Sequence, residues 1–136
     1  NDSLHIRETI FGREDLTVAS TLNNLSVLYG KIKQLDQAEI MCKKALEIRE
    51  TVLGSSHADV AKQLTNLALI YQYKKKFKEA ENCFIRAKNI YETQLGKNDA
   101  YSIKTQSNLG LLYVKEEKYY EALKVYEKVI NLYISS

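Results

Sequence analysis

The sequence predicts an all-α protein, a solenoid of three antiparallel helix pairs preceded by the end of one further helix. Three observations carry this expectation. First, a kernel recurs every 42 residues: Asn23-Asn24-Leu25-Ser26-Val27-Leu28-Tyr29, Thr65-Asn66-Leu67-Ala68-Leu69-Ile70-Tyr71 and Ser107-Asn108-Leu109-Gly110-Leu111-Leu112-Tyr113. Aligned without a gap, residues 6–47 and 48–89 share 15 identities in 42 positions, of which 8 persist in residues 90–131. Second, five glycines and no proline leave few turn or breaker signals, which favours long helices over many tight hairpins. Third, apolar residues inside every unit recur at helical period. A repeated two-helix unit cannot bury its apolar face alone, so neighbours stack into a curved array.

Taken in order, residues 1–14 read as the end of a preceding repeat and its connecting loop. Ile6-Arg7-Glu8-Thr9-Ile10-Phe11-Gly12 returns as Ile48 to Gly54 and as Ile90 to Gly96. Gly12, Gly54 and Gly96 follow apolar residues and precede polar ones, as expected where a helix closes through a left-handed residue. Asp15, His57 and Asp99 then stand at the next helix entrance. An Asp there caps free first-turn amides for about 1 kcal/mol, and His less well.

The first helix of each unit is expected over 16–31, 58–73 and 100–115. In unit one its core is centred on Leu25 and Tyr29, with Leu22 and Leu28 beside them. Ser26, Ala68 and Gly110 share one slot, where a small side chain admits the partner helix. Turns at 31–34, 74–76 and 115–118 are too short for anything but an antiparallel pair. The second helices follow with stripes beginning Leu35-Ala38-Met41-Cys42, Phe77-Ala80-Cys83-Phe84 and Tyr119-Ala122-Val125-Tyr126. The chain is thus one array: repeat one over 15–53, repeat two over 54–95 and repeat three over 96–136.

Twenty basic and 17 acidic residues leave a net charge of +3, too small to call for nucleic acid or an anionic membrane. No apolar run reaches the roughly 18 residues that span a bilayer, so direct membrane binding is not expected. Two cysteines on apolar stripes read as reduced core thiols of a cytoplasmic protein. His5 and His57 lack partners at metal-ligand spacing, so no metal is expected. No phosphate loop or nucleophile elbow is present: no cofactor, no catalytic residue and no enzyme is expected. Lys74-Lys75-Lys76-Phe77-Lys78 falls on a turn and reads as a solvated one.

The order Leu, small residue, Tyr, then Ala, a large apolar residue and Ala resembles the tetratricopeptide repeat. The 42-residue unit, Ala45 to Gly54, Asp59 to Leu64 and the Asn-Leu kernels resemble the kinesin light chain type. Relatives commonly carry His-Pro before the first helix, whereas here His57 precedes Ala58. The resemblance implies a right-handed superhelix whose first helices line a concave groove, and a protein or peptide partner.

On the first helices a stripe at i, i+4, i+7 and i+11 stands apart from the packing residues. It comprises Ser20, Asn24, Val27 and Lys31; Lys62, Asn66, Leu69 and Tyr73; and Lys104, Asn108, Leu111 and Lys115. An Asn row can bond a peptide backbone, the aliphatic row can take an apolar or aromatic side chain, and Lys62 and Lys104 can meet carboxylates. These twelve residues are the candidate peptide groove. The alternative for the Asn row is to bond its neighbours and hold repeats in register. For the lysines it is a solvated helix face. Tyr29, Tyr71 and Tyr113 read as packing with hydroxyls at the rim. The competing function is a spacer or oligomerisation scaffold with an empty groove, self-associating through apolar ends near Ile6 and Ile130.

Overall fold

The computed structural model describes the backbone of residues 2–135 and the side chains of residues 15–134. His5 and Ile6 therefore lie outside the described side chains. Six helices follow one another: α1 (Asp2–Lys31), α2 (Leu35–Leu53), α3 (Ala58–Tyr73), α4 (Phe77–Leu95), α5 (Ala100–Lys115) and α6 (Tyr119–Ser135). There is no strand among the described residues. Each helix packs chiefly on its sequence neighbours, so the pairs α1–α2, α3–α4 and α5–α6 stack side by side as an all-α solenoid.

Two kinds of closure set the geometry. The first helix of each pair ends through a non-glycine residue at positive φ: Lys33 (63°), Lys75 (62°) and Glu117 (62°). At each, the next amide reaches back five residues and the amide before it three, as in Gln34 N–H to Tyr29 O at 2.8 Å and Lys33 N–H to Gly30 O at 3.1 Å. These paired bonds satisfy carbonyls that a helix end leaves open. The second helices end at Gly54 and Gly96, with φ of 91° and 96° and ψ of 155° and 157°. The positive φ is as expected, but ψ is extended, so the glycine redirects the chain instead of winding a left-handed turn. After it, Asp99 caps α5 by accepting from Tyr101 N–H at 2.9 Å. His57 caps α3 in the same way, its Nδ1 accepting from Asp59 N–H at 3.0 Å.

The expected break at Gly12 and cap at Asp15 are not formed: α1 runs through both positions. At Gly54 and Gly96 the reversal lays a new helix on the one before it. A glycine inside a helix costs about 1 kcal/mol relative to alanine, and the helix of 30 residues carries it.

The core is continuous through the middle repeat, with Phe84, Val60, Ala61, Ala68, Ala87 and Leu112 wholly enclosed. The small-residue slot works as expected. The Ser26 hydroxyl donates to Ala38 O at 2.8 Å, Ala68 is fully buried, and a methyl at Gly110 would stand 3.0 Å from the Tyr126 ring. Tyr71 is buried, and Tyr29 and Tyr113 pack half-buried against this core. Leu25 and Leu28 depart from the expected core. They are 38% and 59% exposed, while their equivalents Leu67 and Ile70 are buried, because α3 has α2 in front of it and α1 has no described helix there.

Candidate functional site

The face shared by α1, α3 and α5 is built around Asn66 and Leu69, which line two depressions at once. One, of about 350 Å³, lies between α1 and α3. Val27, Leu69, Ile70 and Leu35 form its apolar walls, Ser26, Gly30 and Asn66 complete them, and Lys31 and Tyr73 stand at its edge. Gly30 gives room there, since nothing lies within 4 Å of where its side chain would begin. The other, of about 210 Å³, lies between α3 and α5. It gathers Lys62, Lys104, Asn66, Asn108, Thr65 and Thr105 around the stacked rings of Tyr91 and Tyr101. Those rings are 5.4 Å apart and nearly parallel at 19°. Burial pushes the Tyr91 phenol above its ordinary range, with the Tyr101 phenol beside it acting in the same direction.

Of the twelve stripe residues, eight come together here: Val27, Lys31, Lys62, Asn66, Leu69, Tyr73, Lys104 and Asn108. Ser20 and Asn24 are exposed on α1 outside both depressions, and Leu111 and Lys115 are exposed on α5 beyond them. The stripe missed Tyr91 and Tyr101. Tyr101 lies one turn before Lys104 on the same face, so extending the stripe by a turn would have found it. Tyr91 belongs to a second helix, and no first-helix pattern reaches it.

Asn66 also has a structural bond. Its amide donates to Asn23 Oδ1 at 3.0 Å, and Gln63 Nε2 donates to the same oxygen at 3.1 Å. Gln63 is wholly buried; its Oε1 accepts from Arg49 at 2.7 Å, and its amide also meets Cys42 Sγ at 3.0 Å. Three helices are thereby tied through one glutamine. Burial, against the lesser pull of the Gln63 amide, pushes the Cys42 thiol up to about 11; burial also raises Cys83 to about 11. Both are free cysteines held as neutral thiols.

The lysine-rich turn is not simply solvated. Lys74 reaches back to Asp36 and Glu39 of α2, each at 2.7 Å, and Lys76 comes within 4.0 Å of Glu39. Its charge is partly spent inside the array. Among the described residues no group of His, Cys, Asp and Glu is placed to hold a metal, and no helix is long and apolar enough to cross a membrane.

A tetratricopeptide repeat family model matches residues 17–84 and again 59–135, almost the whole chain. The chain belongs to the tetratricopeptide repeat family. No curated protein matches its sequence. In fold the tetratricopeptide array is similar to BtubC (BKLC) from P. vanneervenii, with a TM-score of 0.80 and 24% identity over 87% of this chain and 46% of that one. It is also similar to two structures of nearly identical TPR-like repeats ascribed to a kinesin light chain of Podosopora anserina. Those have TM-scores of 0.74 and identities of 19% and 20%, over 84% of this chain and 54% of theirs. The array thus spans about half the length of these structures, and its repeats are kinesin light chain-like in fold.

Proposed function

We propose that the tetratricopeptide array is a protein-interaction module that binds a short, extended peptide along α1, α3 and α5, as an adaptor of the kinesin light chain-like kind. The peptide carries acidic residues and one aromatic or large apolar side chain. The observation that supports this reading is the sharing of Asn66 and Leu69 between two depressions of different chemistry. The apolar one, between α1 and α3, suits the large side chain. The other places Lys62 and Lys104 from adjacent repeats around a polar pocket with an aromatic wall, which suits carboxylates. A peptide crossing α3 would meet both within a few residues, at a strand's rise of about 3.3 Å per residue.

The test is a fluorescence anisotropy titration of a labelled peptide that combines Asp or Glu residues with a Trp. Binding is expected in the micromolar range and should weaken as salt rises, since part of the attraction is between charges. Lys62→Glu with Lys104→Glu should abolish it while the far-ultraviolet circular dichroism stays unchanged. An affinity untouched by that pair would overturn the reading.

A further inference from the structure

Within the array, each second helix meets the following first helix along one stripe. On α2 the contacts define it: Glu39 with Lys74 at 2.7 Å, Cys42 with Gln63, Lys43 over the Tyr71 ring, and Arg49 with Gln63. These positions advance by three or four residues, so Leu46 lies on the same face, with Glu50 one turn further on holding Arg86 of α4 at 2.8 Å. Two repeats further on, Glu39, Leu46 and Glu50 become Leu123, Ile130 and Ile134 of α6. All three are more than half exposed, and among the described residues α6 packs chiefly against α5.

The first helix carries the counterpart. Val60, Leu67 and Ile70 of α3 are buried, at 8% exposure or less, and they correspond to Val18, Leu25 and Leu28 of α1, at 49%, 38% and 59%. Lys74, whose ammonium holds Glu39, corresponds to Ile32, which is 64% exposed. The two substitutions match. A pair that is ionic inside the array, Glu39 with Lys74, becomes Leu123 with Ile32 when α6 is placed against α1 in the same register.

We propose that α1 of one copy packs on α6 of a second copy in the register that α3 keeps on α2, joining chains head to tail. The occupant of the α6 face is thus a second copy of this chain. The contact continues an interface already repeated inside the molecule, and it covers two apolar faces that are exposed among the described residues. Because it joins unlike surfaces, a copy that uses one face in a contact keeps the other for a further copy, so assembly goes past a dimer, into a ring or an open filament. It uses neither depression of the candidate site, so it stands or falls independently of peptide binding.

Sedimentation velocity over a concentration series tests this with two variants, Leu28→Glu on α1 and Ile130→Glu on α6. Both side chains are exposed in the single chain, so each variant should keep the wild-type circular dichroism. The wild-type mass should rise with concentration past that of a dimer and persist in high salt, as an apolar contact does. Each variant alone should remain monomeric, having lost one half of every contact. Their equimolar mixture should form dimers and nothing larger, through the one intact pair of faces. A monomeric wild type, a variant that dimerises alone, or a monomeric mixture would each overturn the proposal. Should either variant fold poorly, Ile32→Lys and Leu123→Glu install residues that the middle of the array already uses. Each should weaken assembly singly, and their combination should restore it in a salt-sensitive form. Failure of that restoration would equally overturn the proposal.

Discussion

Asn66 of α3 donates its side-chain amide to Asn23 of α1 at 3.0 Å, so one residue of the candidate groove also holds two repeats in register. The oxygen it meets is shared with Gln63, whose own carbonyl is held by Arg49. Removing the inner member leaves Arg49 without that acceptor and takes from Asn23 one of its two donors. Gln63→Leu should destabilise the protein by about 1–3 kcal/mol, while Asn66→Ala, at the half-buried edge, should cost about 1 kcal/mol. Urea unfolding followed by circular dichroism measures both. Equal costs would mean that the buried glutamine is not the centre of the network.

Glu39 should make the array sensitive to acid. Burial pushes its carboxyl up, but hydrogen bonds from Lys43 and Lys74 outweigh it and hold the group below its ordinary value of 4.5. A carboxyl depressed by folding adds stability above its unfolded pKa and loses it as pH falls through the folded one. Glu39→Gln should therefore be less stable than wild type at pH 7. The two should converge as pH drops below about 4.5, in thermal melts at a series of pH values. A gap of constant size would show that the carboxylate charge is not what stabilises the contact.

The two kinds of helix closure should respond oppositely to substitution. Lys75 is exposed at a φ of 62°, where a side chain is strained and glycine is not, so Lys75→Gly should raise stability by about 0.5–1 kcal/mol. Gly54 is at φ 91° and ψ 155°, a region nearly restricted to glycine, so Gly54→Ala should cost about 1–3 kcal/mol. Chemical denaturation of both variants against wild type decides the signs.

At Gly110 the limit is space. An added methyl would already sit 3.0 Å from the Tyr126 ring, so Gly110→Leu should force α5 and α6 apart and cost about 1–3 kcal/mol. Loss of near-ultraviolet tyrosine signal together with a lowered melting temperature is the expected result.

Cys42 and Cys83 should resist alkylation in the folded protein. Both are buried, and with thiols pushed up to about 11 they are almost wholly protonated at pH 8. Iodoacetamide labelling followed by mass spectrometry should proceed only as fast as unfolding exposes them. Native labelling at the rate of the urea-unfolded chain would contradict the described packing.

Much of this was legible in the residues. The 42-residue period and the apolar spacing placed α3 and α5 at 58–73 and 100–115, where the structure has them. The kernel from Thr65 to Tyr71 divides by face as its spacing predicts, with Leu67, Ala68 and Tyr71 buried and Leu69 outward. Helical period is a local property of the chain, and each of those residues is judged against neighbours three or four positions away. The closures at Lys33, Lys75 and Glu117 were not legible, because glycine marks a left-handed residue whereas lysine and glutamate do not.

The sequence by itself determined that this is an array of paired helices, where most helices start and stop, and which face of each is apolar. Only the tertiary structure decided that α1 runs on through Gly12 and that Asn66 pairs with Asn23, 43 positions away. It likewise decided that Tyr91 joins Tyr101 at a candidate site, and that identical repeat positions are buried in α3 and bare in α1. A repeat writes the same instruction at each position, but burial depends on whether a neighbouring helix is present to receive it.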